Sequence, residues 1–434
     1  MDGMTDRYMK NGKSIHTLTA EAVELLKEMV AIPSPSFNED AVCAHICNWL
    51  TDKGIIYKRV GNNIIAESSW QNAPEEQLKD KCTEGHRHKP TLMLCAHIDT
   101  VSPSEEYSFD PYEPDYVKAA QVIGSDNIVA GLGSNDDGAS VVSMIAAFRY
   151  FCNKPSTAVA SELKSNDTAE SPVYLAGHDG TSERSISSRS CSGSRAAMTC
   201  CEQEQVNLIL VLSCEEERSG LNGMTGLWSQ IKDKVDYAIV GEPTGMKAAT
   251  SERGLLVIDS TAHGVSGHAA RNEGINAIDI ALEDIQALKR HEFEKVSPRM
   301  GKVNLNVTQI NAGTAHNVIP DTCTFVVDIR PTEQYTNEEI LKELQGICKS
   351  ELRPRNLSNL SSATRENSPL QNITEKLGIE TFSSPTTSDW MRIDCDAIKM
   401  GPGESSRSHK KDEFVFVNEI ADGIKTYIEF IKRF

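Results

Sequence analysis

Three short apolar runs constrain the fold of this chain most strongly, because each has the length of a buried strand and each is followed by histidine or carboxylate side chains. They occupy residues 92–95, 206–212 and 235–240. Apolar runs of about four to eight residues are typical of strands that are covered on both faces of a parallel sheet. We therefore predict a doubly wound α/β domain with a mixed sheet, in which ligands bind at the carboxyl edge of the sheet.

The residues that follow these runs have the donor atoms of a metal site. His97 and Asp99 follow the first run at a spacing of two, so both side chains project in the same direction. A carboxylate beside an imidazole can hold one ring N–H while the other nitrogen faces a cation. Three glutamates at 215–217 follow the second run, and Glu242 follows the third. A single His-x-Asp is more often part of a solvated loop, but such side chains at three strand ends favour a metal centre.

The segment GLGSNDDG at 131–138 adds two carboxylates. Asp136 and Asp137 stand directly before a long apolar helix. Either aspartate could serve only as a negative charge at the helix N-terminus, whereas a carboxylate placed there next to a metal can bridge two cations. The three glutamates at 215–217 also favour a cation at this edge, because like charges at a buried strand end need a cation or a shared proton to offset their repulsion.

Length and pattern indicate two domains. A chain of 434 residues exceeds the usual size of a single core. From about Arg253 the pattern changes to β-α-β-β-α, with a last helix predicted over 337–351, which indicates a small ferredoxin-like α+β domain. We predict a catalytic domain over 15–252 and 361–434, and an inserted domain over 253–360. Within the catalytic domain, 70–89 and 153–205 are predicted loop insertions, and 103–124 is predicted to be irregular.

Composition restricts the partners of the chain. The net charge of −18 is spread along the sequence and disfavours nucleic acid and anionic lipid as partners, and an anionic substrate would need a local positive centre. The mean hydropathy is −0.37. The sequence has no apolar run of about 18 residues, and its start lacks the apolar core of a signal peptide, so we predict a cytoplasmic protein. The 12 cysteines form no C-x-x-C pair and are predicted to be reduced thiols.

Five motifs, in their order along the chain, resemble one family of enzymes. They are GLGSND (131–136), GEPT (241–244), HGVSGHAARNEGINAI (263–278), HNVIPD (316–321) and KMGPGESSRSH (399–409). The chain resembles the di-zinc metallohydrolases that include aminoacylase, acetylornithine deacetylase, succinyl-diaminopimelate desuccinylase and carboxypeptidases of the glutamate-releasing type. The motifs are most similar to the acetylornithine deacetylase branch, which acts on N-acetyl- or N-succinyl-ornithine. The resemblance covers nearly the whole chain apart from the N-terminus and the two insertions.

This resemblance implies roles for individual residues of the catalytic domain. Two zinc ions would be held by five ligands, with the aspartate bridging them: His97, Asp136, Glu217, Glu242 and His409. Asp99 would orient His97. Glu216 would act as the general base, since the spacing to Gly223 favours this register within the three glutamates.

The resemblance also implies roles for the inserted domain, which would act as a dimerisation and lid domain. His268 would reach the substrate carbonyl from the inserted domain of the partner subunit, so the protein would be a homodimer. Asn317 and Arg330 would contact the substrate.

The predicted function is therefore a metal-dependent amide hydrolase that removes an acetyl or succinyl group from an N-acyl-amino acid. N-acyl-ornithine is the first expectation, in arginine biosynthesis. Acetyl and succinyl groups are both compatible with the sequence, and cobalt or manganese could replace zinc because imidazole and carboxylate ligands accept several divalent ions. Two alternatives remain: a dipeptidase or exopeptidase on the same scaffold, and a binding module without catalysis, which would have broken metal positions.

Overall fold

A nine-stranded mixed sheet forms the centre of the first domain. The protein is described by a computed structural model that covers residues 14–69, 89–152, 206–271 and 273–434. Both predicted insertions, 70–89 and 153–205, lie outside the described residues except for Lys89. The strands follow one another across the sheet as β1 (Lys58–Val60), β2 (Asn63–Glu67), β5 (Asn207–Ser213), β3 (Thr91–His97), β6 (Tyr237–Val240), β16 (Asp396–Lys399), β7 (Ala248–Glu252) and β14 (Ser362–Ala363), and β15 (Thr381–Ser384) also pairs with β7.

The central strands are parallel, so their carboxyl ends lie at one edge of the sheet. β3 pairs in parallel with both β5 and β6, with His97 opposite Ser213 and Cys95 opposite Val240. β16 continues the parallel arrangement beside β6. All seven residues of β3 are buried, which is typical of a strand that is covered on both faces.

Helices cover both faces of this sheet, which confirms the predicted doubly wound fold. Alternate residues of β3 belong to different cores, Leu92 and Leu94 to the larger one and Met93 and Cys95 to the smaller one. The larger core contains residues of α1 (Ile15–Val30), α2 (Asp40–Asp52), α4 (Gly138–Phe151), α8 (Pro369–Leu377) and α9 (Val417–Ile431). The smaller core lies beneath α5 (Met224–Ile231) and Trp390.

A four-stranded antiparallel sheet forms the inserted domain. Its strands lie in the order β10 (Asn304–Ala312), β12 (Thr322–Arg330), β8 (Leu256–His263) and β13 (Glu351–Pro354). Every second residue of β8 is buried, and this face packs against α6 (Ala277–Arg290) and α7 (Asn337–Gln345). Asn276 caps α6, and a capping box of Thr336 and Glu339 begins α7. The element order β-α-β-β-α-β is that of a ferredoxin-like domain.

Two predictions of local structure were wrong. The segment 103–124 contains the helix α3 (Tyr116–Ile123), which Asp115 caps and Gly124 ends at φ 82°. The helix has only eight residues, which is shorter than the window of about 11 residues in which helical periodicity is recognised, and Ala119 is its only buried residue. The helix predicted over 337–351 ends at Gln345, and β13 begins at Glu351.

Two short strand pairs position loops around the edge of the large sheet and within the inserted domain. β17 (Phe414–Phe416) pairs with β4 (Ile128–Ala130), which places the segment after His409 beside residues 131–136. β9 (Gly267–His268) pairs with β11 (Val318–Ile319), which joins the two motif loops of the inserted domain. None of the helices in the described ranges is long and apolar enough to cross a membrane.

Candidate metal centre and active site

Three parallel strand ends bring potential metal ligands together. His97 is the last residue of β3, Glu216 and Glu217 follow β5, and Glu242 follows β6. Donor atoms of His97, Glu216 and Glu242 all lie within 4.8 Å of one another, and so do those of His97, Asp136 and Glu217. The parallel register of the strands therefore produces the side-chain cluster that the sequence pattern predicts at this edge.

The imidazole ring of His97 is held in one orientation. Its Nδ1 lies 3.0 Å from the backbone oxygen of Asp99 and 3.4 Å from Oδ1 of the same residue, whereas its Nε2 lies 3.3 Å from Oδ1 of Asp136. Burial disfavours the charged ring, but hydrogen bonds to Asp136 and Asp99 outweigh it and raise the pKa of His97 well above its usual value. The Nε2 atom therefore faces the cluster, as a metal ligand must.

The carboxylate of Asp99 connects His97 to the glutamate segment. It accepts hydrogen bonds from the backbone N–H groups of Glu216 at 3.0 Å and Glu217 at 3.1 Å, and from the hydroxyl of Ser36 at 2.7 Å. Burial alone would raise the pKa of Asp99, yet the contacts with His97 and these donors lower it. Asp99 thus fixes both the ring and the backbone of the two glutamates.

Asp136 lies between two histidines. Its Oδ1 faces His97, and its Oδ2 lies 3.7 Å from Nε2 of His409. The neighbouring Asp137 differs, since neither of its buried carboxylate oxygens has a hydrogen-bond partner among the described residues and burial raises its pKa to about 8. The geometry therefore favours Asp136 over Asp137 as the carboxylate that faces a metal pair.

His409 completes the second half of the cluster. Its Nε2 lies 2.9 Å from the carboxylate of Glu217, and this contact raises the pKa of His409 to about 9. The Glu217 side chain is only 6% exposed, whereas that of His409 is 55% exposed. The cluster thus has a buried half around His97 and an open half around His409, with Asp136 between them.

The buried position of Glu216 and Glu242 disfavours their charged forms, although His97 and, for Glu242, Lys399 partly oppose this effect. Burial and the neighbouring acids raise the pKa of both residues well above the usual value. Divalent cations would remove this penalty, and a set of imidazole and carboxylate donors suits zinc and related ions. The residues at this strand edge therefore fit a metal pair on their own chemistry.

Glu413 holds the backbone beside the candidate metal ligand Asp136, and the sequence did not predict this role. It is 2% exposed, and its Oε1 accepts the backbone N–H groups of Asn135 and Asp136, both at 2.9 Å. Burial raises its pKa to about 8. Its position after His409 and before the apolar β17 is the one signal that the sequence offers. Ser36, whose hydroxyl donates a hydrogen bond to Asp99, was also not predicted. Both residues act through contacts with distant segments of the chain.

The three predicted substrate contacts lie in the inserted domain. His268 Nδ1 accepts the backbone N–H of Ala270 at 3.2 Å, and the backbone oxygen of Asn317 accepts the N–H of Ala269 at 3.1 Å. The guanidinium of Arg330 binds both carboxylate oxygens of Asp328 at 2.8 and 3.1 Å. Within the described ranges, these hydrogen bonds all stay inside the inserted domain.

Comparison with known proteins relates the chain to one family. The family model described as a peptidase dimerisation domain of the M20 type matches residues 250–356. Succinyl-diaminopimelate desuccinylase of Pelagibacter ubique is 21% identical over 444 residues, which cover 96% of this chain and 99% of the relative. Acetylornithine deacetylase of Photorhabdus laumondii is 26% identical over 448 residues, which cover 95% and 97%. The chain thus contains a dimerisation domain of the M20 peptidase type and resembles these relatives over nearly its whole length. This confirms the family predicted from the five motifs.

Solved structures show the same M20 fold. A tripeptidase from Staphylococcus aureus superposes with a TM-score of 0.63 at 17% identity, covering 95% of this chain and 98% of that one. A dinuclear metal-binding M20 peptidase from Bacillus subtilis gives 0.59 at 13% identity, covering 96% and 98%. The chain therefore has the fold of the M20 hydrolases, and it contains a candidate metal-binding group at the edge of its large sheet.

Proposed function

We propose that this M20 metallohydrolase cleaves the amide bond of an N-acyl-amino acid and that N-acetyl- or N-succinyl-ornithine is its substrate. The observation that carries the proposal is the convergence of His97, Asp136, Glu217 and Glu242 with Glu216 at one edge of the sheet. Similarity to acetylornithine deacetylase along nearly the whole chain supports the substrate class. Arginine biosynthesis would be the corresponding pathway, and the cytoplasm the corresponding compartment.

The five predicted ligands would hold two divalent ions, which we propose to be zinc. One carboxylate oxygen of Asp136 lies near His97 and the other lies near His409, so Asp136 would be able to serve both ions. When bound, such a pair lowers the pKa of water and polarises the acyl oxygen of a substrate.

Glu216 is placed to move the proton that this reaction requires. Its backbone is fixed by Asp99, and its carboxylate faces His97 and Glu242. In the proposed reaction Glu216 accepts the proton of the attacking water while the new C–O bond forms, and it gives that proton to the nitrogen as the C–N bond breaks. The products are a carboxylic acid and a free amino acid.

The inserted domain would complete the site in a homodimer. His268 is exposed and lies in the region that the dimerisation-domain model matches. We propose that the partner subunit's His268 donates a hydrogen bond to the oxygen of the tetrahedral intermediate. Asn317 and Arg330 would then bind the substrate, and Arg330 would have to share its contacts with Asp328.

A substrate panel tests this proposal. Purified protein would be assayed with N-acetyl-ornithine, N-succinyl-ornithine and a set of dipeptides, before chelation, after chelation and after return of zinc. We expect hydrolysis of an acyl-ornithine that chelation abolishes and zinc restores. Hydrolysis of dipeptides alone would reassign the protein to the peptidases, and no hydrolysis of any amide by the zinc-containing protein would overturn the proposal.

A further inference from the structure

Lys399 is a buried cation next to the candidate metal centre, and the mechanism proposed above does not use it. It is 1% exposed and is the last residue of β16. It pairs with Val240 on one side, two residues before Glu242, and with Ala249 of β7 on the other side. Burial lowers the pKa of Lys399, but the nearby charges of Glu252 and Glu242 outweigh this effect and raise it, so the side chain is an ammonium ion.

The ammonium group of Lys399 connects two parts of the chain. It lies 3.0 Å from Oε2 of Glu252, which is fully buried, and it donates hydrogen bonds to the backbone oxygen and hydroxyl of Thr386 at 3.0 and 3.5 Å. Glu252 in turn accepts the hydroxyl hydrogen of Ser388 at 2.7 Å. One ion pair therefore fixes residues 386 and 388 at the same time.

The segment fixed by this pair also reaches the strand that carries the proposed base. Ser388 caps the short helix Asp389–Arg392. The carboxylate of Asp389 accepts the hydroxyl hydrogen of Ser213 at 2.6 Å, and Ser213 ends β5 three residues before Glu216. Residues 384–389 are thus held between β16 on one side and β5 on the other.

A cavity of about 310 Å³ lies against this segment. Ser384 and Thr386 form part of its wall, and Lys399, Phe382 and Glu242 also line it. Pockets that hold small molecules begin at about this volume. The cavity therefore joins the candidate metal centre to the segment that the ion pair fixes.

Stability alone is a weak reason for a buried charged pair at this place. Exchanging a buried ion pair for apolar side chains of similar size is often neutral or stabilising. Among the described residues, the two side chains form their other hydrogen bonds with Thr386 and Ser388 of the segment beside the cavity and with Ser362 of β14. We propose that the Lys399–Glu252 pair positions residues 384–389 as one wall of the substrate site, so that Lys399 is a positioning residue that determines substrate affinity.

This inference rests on the proposed function, and a double replacement separates its effect from stability. Lys399→Met alone leaves Glu252 buried without its partner, so we expect a lower Tm. Lys399→Met combined with Glu252→Leu removes both charges and is expected to recover most of that loss. KM for the acyl-amino acid should nevertheless stay about tenfold above that of the wild type, with kcat and zinc content within about twofold, because the wall contributes to binding and not to proton transfer.

Hydrogen exchange supplies a readout that needs no turnover. Backbone amides of 384–389 should exchange faster in the double variant than in the wild type, while those of α1 should not change. Ser388→Ala removes one hydroxyl that donates to Glu252, so it should raise KM and speed exchange over 384–389 by a smaller factor. This single variant replaces the double variant in the test if the double variant does not fold. Lys302→Met with Glu292→Leu, an exposed pair in the inserted domain, is the matched control and should change neither quantity.

The two proposals fail differently. An inactive wild type refutes the proposed hydrolase function, and exchange alone then decides the role of Lys399. If the double variant recovers its Tm and shows either wild-type exchange over 384–389 or, in an active enzyme, wild-type KM, the positioning role is overturned.

Discussion

The carboxylate of Asp99 accepts the backbone N–H of Glu216 at 3.0 Å, although 117 residues separate them in the sequence. The same carboxylate lies 3.4 Å from Nδ1 of His97. One side chain thus sets the ring of a proposed metal ligand and the backbone of the proposed base. Metal affinity and proton transfer should therefore respond together when Asp99 is changed.

Asp99→Asn is expected to weaken both functions. The amide keeps the size of the side chain but loses the charge that favours His97 and the two backbone N–H groups. Loss of such a partner typically reduces metal affinity about 10- to 100-fold, and we expect kcat to fall as well at saturating zinc. Zinc affinity by competition with a chelator and kcat at saturating zinc measure the two effects. Unchanged values for both would show that Asp99 does not connect the two groups.

The three consecutive glutamates should give three different phenotypes. Glu216→Gln removes the proton acceptor without changing size, so we expect kcat to fall by at least about 100-fold while zinc content stays at the wild-type level. Glu217→Gln removes a proposed ligand and should lower zinc content. Glu215 binds the N–H and side chain of Asn222, so Glu215→Gln should mainly lower Tm.

Kinetics and metal analysis of these three variants also fix the register of the segment. If Glu217→Gln kept its zinc and lost turnover while Glu216→Gln lost its zinc, the assignments of the two residues would be reversed. An active Glu216→Gln variant with full zinc content would remove the proposed base from the mechanism.

Mixed dimers test whether the partner subunit's His268 acts at the site. Glu216→Gln and His268→Ala should each be nearly inactive as homodimers. A mixed dimer would contain one site with an intact base and the partner's intact histidine, so unfolding and refolding the two variants together should restore about a quarter of wild-type activity. Refolding each variant alone is the control. If co-refolding yields mixed dimers but no activity returns, His268 does not act in trans.

Glu21 predicts a pH-dependent contribution to stability far from the metal centre. Its carboxylate binds Lys53 at 2.7 Å and Arg149 at 2.6 Å. Burial opposes the charged form, but these two contacts lower the pKa of Glu21. A lowered carboxyl pKa stabilises the folded state above the unfolded value of about 4.3, and this contribution disappears as the pH falls through the folded value.

Glu21→Gln should therefore reduce the free energy of unfolding by about 1 kcal/mol at pH 7, in keeping with a partly exposed pair. The difference from the wild type should shrink as the pH is lowered below about 4. Denaturant unfolding at pH 7 and at a pH below about 4 measures the difference in the free energy of unfolding. The control is Glu24→Gln in the same helix, because the Glu24 side chain is 69% exposed. A difference that is the same at both pH values would assign the effect to packing.

The sequence predicted the sheet and the groups at its edge because short-range patterns determine them. Each of the buried runs that end near His97 and Glu242 is contiguous in sequence, and parallel pairing then brings their ends together. The ferredoxin-like order of the inserted domain was predictable from periodicity for similar reasons, although the end of α7 was not.

Long-range contacts explain what the sequence did not reveal. Glu413 acts through backbone N–H groups that are 277 and 278 residues away, and Ser36 acts through Asp99, 63 residues away. No local pattern encodes such pairs. Lys399 is different, since a lysine within the apolar run AIKM is itself unusual. That signal indicates a buried partner but does not identify it as Glu252.

Diffraction from crystals of the zinc-containing protein, recorded on both sides of the zinc absorption edge, tests the central claim most directly. The account predicts two zinc ions at the edge of the large sheet, with Asp136 bridging them and the other four ligands within about 2.0–2.2 Å: His97, Glu217, Glu242 and His409. Zinc bound elsewhere, or a site that Asp136 does not share, would contradict it.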